Sequence, residues 1–287
     1  MIQWPGSRTY LSGRMKNLLL SFAVIAALSA CAHGIPKHEL VPGAAPMSRD
    51  AVAAADTGLF SRQTFTAADG TVLPYRVLPP ANQKPGVRYP LVLQLHGSGG
   101  IGADNLMQLD RLAKSWAMPD VRSRYEAYVL VPQFAIRSAN YGPPSPSQFA
   151  EHSAALPAAI ELVEKFAQEQ PVDRTRIYAT GFSMGGSAAW LAPTLKPGLF
   201  AAIVPVSGIA PANASAALLQ DLPVWVLHGN ADTENPIGAD LRLTAEIRQR
   251  GGNHILFREY DGLDHQLHAD VYPGYWWRDW LFAQRRQ

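Results

Sequence analysis

Cysteine is almost missing from this chain: among 287 residues there is one, Cys31. Whatever folds beyond it can form no disulfide and no cysteine-ligated metal centre. Charge is also sparse, at 17% of residues, and nearly balanced at +2. The excess sits at the N-terminus, where residues 1–30 carry Arg8, Arg14 and Lys16 and no acid; without them 22 basic residues face 23 acidic ones. With no basic stripe, the chain has no electrostatic footprint for nucleic acid, and none is expected as a partner. Internal repeats are absent, which excludes a solenoid. What is abundant is apolar surface: 47% of residues are hydrophobic, enough for the core of one large α/β domain or two smaller ones.

The N-terminus has the pattern of an export signal. Arg14 and Lys16 form a positive flank, and Leu18 to Ala30 is a largely apolar run of 13 residues. That is short of the roughly 20 residues that span a bilayer, but it suits the apolar region of a signal peptide. Met15 is an alternative start. Cys31 closes Leu28-Ser29-Ala30-Cys31, which resembles a bacterial lipobox, so the expected product is an exported lipoprotein of the periplasm or cell envelope, attached to membrane through lipid on Cys31. Ordinary cleavage after Ala32, giving a secreted protein, is the alternative. Residues 31–56, rich in Ala, Pro and Gly, are expected to be a flexible tether, and residues 57–287 the catalytic domain.

From Phe60 the pattern changes. Phe60 to Phe65 and Thr71 to Val77 alternate around Asp69-Gly70 and read as an antiparallel pair. Continuous apolar runs typical of buried parallel strands follow at 91–95, 128–131, 177–179, 202–206 and 224–227, with a last strand at 255–260. Helical patterns fall at 105–116, 149–169, 187–195, 240–250 and 274–284. Alternation of this kind predicts an α/β fold: a mostly parallel eight-stranded sheet with helices on both faces. Ligands of such sheets bind beyond the carboxyl ends of the strands, so polar residues there carry the functional question.

Three places stand out. Gly181-Phe182-Ser183-Met184-Gly185 has the form of a nucleophile elbow, between a strand and a helix, which would lift Ser183 off the sheet edge beside the N–H groups of a helix start. The run His228-Gly229-Asn230-Ala231-Asp232-Thr233-Glu234 follows a later strand and offers Asp232, with Glu234 as the alternative, to orient an imidazole. His265 follows the last strand; Asp264 beside it reads as a solvated charge, and His268 gives only a weak metal-ligand spacing. In the order Ser183, Asp232, His265 these residues suit acyl transfer. His265 would take the proton of Ser183, and the oxyanion would be held by the N–H of Met184 and by one from the glycine turn after His96, with Ser98 the first choice and Gly97 the second. His96 itself reads as a packed brace. His33, His38, His152, His228 and His254 show no spacing that argues for chemistry. Arg137 and Tyr141 lie in an irregular stretch and Tyr272 to Trp277 in an aromatic one; a solvated loop and core packing are the respective expectations.

From about Thr71 to Arg286 the chain resembles the α/β-hydrolase superfamily, more narrowly a secreted esterase group that includes polyhydroxybutyrate-depolymerase-like and feruloyl-esterase-like proteins and peptidases related to prolyl oligopeptidase. The resemblance rests on Leu73-Pro74-Tyr75-Arg76, on 88–97, on Val131-Pro132-Gln133, on 176–186, on 223–229 and on Trp280-Leu281-Phe282. It implies a Ser183, Asp232, His265 triad with no metal or organic cofactor, acting on a small-molecule or polymeric ester. A serine peptidase, acyl transfer to another acceptor and a non-catalytic binding module of the same fold are the competing expectations.

Overall fold

The computed structural model describes residues 35–286; the expected signal peptide, Met15 and Cys31 lie outside the described residues. The strands are β1 (His38–Pro42), β2 (Ser61–Thr66), β3 (Val72–Leu78), β4 (Tyr89–Leu95), β5 (Tyr128–Pro132), β6 (Ala139–Asn140), β7 (Glu151–His152), β8 (Val172–Phe182), β9 (Ala202–Val206), β10 (Val224–Gly229) and β11 (Ile255–Asp261). The helices are α1 (Arg111–Ser115), α2 (Pro119–Arg124), α3 (Leu156–Glu169), α4 (Met184–Leu195), α5 (Ala216–Leu219), α6 (Gly238–Gln249) and α7 (Tyr275–Ala283). Nine strands form one sheet in the order β1-β11-β10-β9-β8-β4-β5-β3-β2, and β6 pairs with β7 apart from it. Pairings from β1 through to β5 are parallel; β5 to β3 and β3 to β2 are antiparallel.

Alternation along the strands divides the core into two layers. Leu91, Leu93 and Leu95 of β4 pack with α3, α4 and α6, while Val92 faces the layer of α1, α2 and α7. Helix α3 earns its place by apolar spacing: Leu156, Ala159, Ile160, Val163, Phe166 and Ala167 are all buried. Parallel register aligns the strand ends, with Leu95 opposite Gly181, Phe182 opposite Val206 and Gly229 opposite Tyr260. The loops after β4, β8, β10 and β11 therefore emerge along one edge.

Two expectations need correction. The ninth strand is β1, and the expected tether of residues 31–56 is docked on the domain from residue 38 onward. His38 to Pro42 lie parallel to Phe257 to Asp261, and Arg258 pairs with Glu39 at 2.9 Å. Met47 and Val52 are each 2% exposed and Phe60 1%. The local composition does look like a linker; its order comes from an open sheet edge and an apolar surface that only the folded domain offers. Second, the helix expected at 105–116 shrinks to α1. Asn105 takes φ 52°, Asp104 Oδ1 accepts the N–H groups of Leu106 and Met107, and Asp110 starts the helix by accepting the Ala113 N–H at 2.9 Å.

Candidate active site

Ser183 stands between β8 and α4 with φ 60° and ψ −122°, a conformation L-residues avoid. The sheet edge imposes it: the chain must reverse from strand to helix while the Ser183 N–H donates to Val206 O at 2.9 Å. The turn is also too tight for side chains on either side. A Cβ on Gly181 would lie 2.5 Å from the carbonyl oxygens of Leu95 and Gly185, and one on Gly185 would collide with Leu95 O. This is why the motif needs glycine at both positions.

The loops bring the three sequence-predicted side chains together. Ser183 Oγ is 2.8 Å from His265 Nε2, and His265 Nδ1 is 2.7 Å from Asp232 Oδ2. The Phe182 ring lies 5.0 Å from the imidazole and supports its face. Asp232 Oδ1 accepts the N–H groups of Glu234 at 3.0 Å and Asn235 at 2.7 Å. Burial opposes ionisation of Asp232, but hydrogen bonds from His228, His265 and Asn235 outweigh it and hold the carboxyl down at about 2. Glu234, the alternative acid, sits on the other side of the ring, 3.8 Å from Nε2, and is largely exposed. Asp264 is exposed.

Behind Ser183, residues Ser98–Gly100 form a single 3-10 turn capped by Gly97. His96 is wholly buried beneath it. Its Nε2 accepts the Phe134 N–H at 3.1 Å, which leaves Nδ1–H to donate to Gly97 O at 2.7 Å. Burial drives this imidazole to about 4, so the ring is a neutral brace. Met184 opens α4 and its N–H has no acceptor within the helix. Gly97 and Ser98 both line the groove beside Ser183.

A groove of about 790 Å³ runs past Ser183 and His265. One wall is the Gly97–Gly100 turn with Leu106 and Met107; another is Arg49, Val52, Ala53 and Ala55, from the segment whose composition suggests a tether, with Thr57 just after it. Nothing local marks these residues as site-forming, because their position depends on β1 docking against β11. Arg137 and Tyr141 are not in this groove; they stack on each other at 4.6 Å. The late aromatics are structural: Trp277 is buried, Trp276 packs edge-on against Trp225 at 4.8 Å, and Tyr272 and Tyr275 both donate to Asp120. His268 stacks on Tyr260 at 4.4 Å, and no cluster of three or more metal-ligating side chains occurs among the described residues. His228, which has no telling spacing, lies against Asp232.

A doubly wound sheet with a strained serine elbow after β8 and an acid and histidine after β10 and β11 defines a class, and the chain has the α/β-hydrolase fold. The sequence profile of the phospholipase/carboxylesterase family matches residues 143–271, a stretch that includes Ser183, Asp232 and His265. A crystallised thermostable esterase is similar at 32% identity, over 80% of this chain and 64% of its own, with a TM-score of 0.70. NocK of Nocardia uniformis subsp. tsuyamanensis, provisionally designated an esterase, is 27% identical over 76% of this chain and 64% of its own. The chain thus spans 64% of the length of each of these two relatives. Acyl-protein thioesterase 2 of Zea mays shares the fold at 18% identity and a TM-score of 0.54, over 73% of this chain and 99% of its own.

Proposed function

We propose that this protein is an exported serine hydrolase that cleaves carboxylic esters through an acyl-enzyme on Ser183. The carrying observation is the unbroken hydrogen-bonded chain from Ser183 Oγ through His265 to Asp232, opening on the groove. Asp232 keeps a proton on His265 Nδ1, so Nε2 is the basic nitrogen and faces the serine. As Ser183 Oγ attacks an ester carbonyl, Nε2 takes its proton. Negative charge gathers on the carbonyl oxygen, where the N–H groups of Met184 and Ser98 receive it. The protonated imidazole then delivers its proton to the departing alcohol. A water molecule, deprotonated by the same nitrogen, releases the acid and restores the serine. No residue in this sequence of steps needs a metal or an organic cofactor.

The esterase reading is further supported by the names of two relatives above 25% identity, one called an esterase and the other provisionally so. Export is supported by Arg14, Lys16 and the apolar run 18–30, and lipid attachment by the run ending in Cys31; mass analysis of the mature N-terminus tests both. The catalytic reading is tested with a fluorophosphonate probe. Native protein is expected to be labelled at Ser183, and Ser183→Ala to lose both labelling and turnover of p-nitrophenyl esters while keeping its fold. Retained turnover in that variant refutes the assignment, and a panel adding feruloyl esters, hydroxybutyrate oligomers and peptide amides separates esterase from peptidase.

A further inference from the structure

His228 is the penultimate residue of β10, is wholly buried, and plays no part in the steps above. Its surroundings are nonetheless those of a working group. Nδ1 lies 2.8 Å from Asp240 Oδ2, and Nε2 lies 2.8 Å from Asn235 O and 3.4 Å from Asp232 Oδ2. The side chains of Asp232, His228 and Asp240 have no solvent exposure. Asp240 is fixed in turn from α4, where Trp190 Nε1–H donates to its Oδ1 at 3.0 Å.

Proton placement follows from the partners. A backbone carbonyl only accepts, so Nε2 must carry hydrogen to meet Asn235 O. Nδ1 faces the Asp240 carboxyl, which burial pushes above the usual carboxylate range against the lowering hydrogen bonds of His228 and Trp190, and the Asp232 carboxylate lies against the Nε2 edge. A neutral ring would leave these two buried acids with one fewer compensating charge between them, the most costly arrangement in a dry interior. A ring protonated at both nitrogens satisfies Asp240, Asn235 and Asp232 together.

We propose that His228 is a positioning residue charged at neutral pH, an imidazolium clamped between Asp240 and Asp232 that orients the Asp232 carboxylate and moderates its pull on the His265 proton. This rests on the serine-hydrolase reading of the same site. Burial presses the His228 ring towards neutrality, but its hydrogen bonds to Asp232 and Asp240 lift it to about 9. Asn235 couples the parts mechanically: its N–H holds Asp232 Oδ1, its carbonyl holds His228, and its amide donates to Ser207 O at 2.8 Å. Two imidazoles thus bear on the same oxygen of Asp232, Oδ2: His265 at 2.7 Å and His228 at 3.4 Å. Beyond Asp232, the ion-pair contacts of these rings among the described residues are Asp240 with His228 and Glu234 with His265.

The consequence is a defined pH signature. When His228 is replaced by a neutral group, Asp232 faces the His265 ring with its full charge. The acidic limb of kcat/KM then moves upward. In His228→Asn the expected move is about half to one pH unit at the effective dielectric of protein sites. Asp240→Asn preserves shape but lets His228 become neutral, so it is expected to move the limb in the same direction. The double variant should add little beyond either single one, since all three remove the same charge pair. A packing role alone lowers the rate evenly and leaves the limb in place; a limb unmoved in both folded single variants overturns the proposal.

Should His228→Asn fail to fold, ring-nitrogen NMR of the wild-type protein decides. At pH 7.5 both His228 nitrogens are expected to be protonated, and a ring with one bare nitrogen overturns the proposal. Fluorophosphonate labelling of the same wild-type sample keeps the two ideas apart. No labelling of Ser183 refutes the hydrolase reading beneath the proposal; labelling with an unmoved limb refutes the role of His228 alone.

Discussion

The elbow stores backbone strain, and this reverses a rule of substitution. At an ordinary position glycine is worse than alanine by about 0.4–1 kcal/mol, because the unfolded chain gains freedom. Ser183 holds φ 60° and ψ −122°, where any residue with a Cβ is strained by about 1–3 kcal/mol and glycine is not. Comparing Ser183→Gly with Ser183→Ala isolates this difference, since both lose the Oγ contact to His265 and both are inactive. Taking about 2 kcal/mol of relieved strain against about 0.7 kcal/mol of glycine entropy leaves the glycine variant more stable by about 1 kcal/mol. For a domain of this size that is a rise in Tm of roughly 2–4 °C over the alanine variant. Urea and thermal unfolding of the two proteins, side by side, measure it. If the alanine variant is the more stable by the usual margin, the elbow is relaxed and the account of its strain is wrong.

Four further outcomes are expected. Asp232→Asn should lower kcat about a thousandfold or more with the fold intact, because the imidazole is then free to take the wrong tautomer; a loss under tenfold in ester kinetics would exclude Asp232 as the orienting acid. Gly185→Ala should destabilise by more than about 3 kcal/mol, as its Cβ would strike the Leu95 carbonyl at the centre of the sheet, and wild-type stability in urea would refute that packing. Met47→Ala should cost about 2–4 kcal/mol, whereas an unchanged midpoint would show that residues 38–60 do not pack on the domain. Stability should peak near pH 6.5. His228, raised to about 9, contributes about 3 kcal/mol below pH 6.5 that is lost as pH rises to about 9. His96, lowered to about 4, contributes a similar amount above pH 6.5 that is lost as pH falls to about 4. His228→Asn should flatten the alkaline side only, and denaturation across pH checks this.

The site was legible where its chemistry depends on local shape. Gly181, Ser183 and Gly185 announce the elbow because a strand-to-helix reversal that tight admits few sequences, and the apolar runs beside it show which element is strand and which helix. Asp232 and His265 were legible through order: each follows a buried strand, and parallel strands bring their carboxyl ends to one edge. His228 was not legible. Its meaning lies in Asp240, twelve residues on and in another element, and in Trp190 on α4. The groove wall at Arg49 to Ala55 was hidden for a similar reason, since its residues have the composition of a linker and gain order only from contacts distant in the chain.

Sequence alone thus determined the periodic elements, the parallel sheet they build, and the three side chains at its edge, because apolar period and turn chemistry act over a few residues. Tertiary structure alone decided the ninth strand, the second wall of the groove, the choice of Asp232 over Glu234 as the partner of His265 Nδ1, and the buried His228 between two acids. These depend on which surfaces meet and how far water is excluded, and such quantities arise only when distant parts of the chain are packed together.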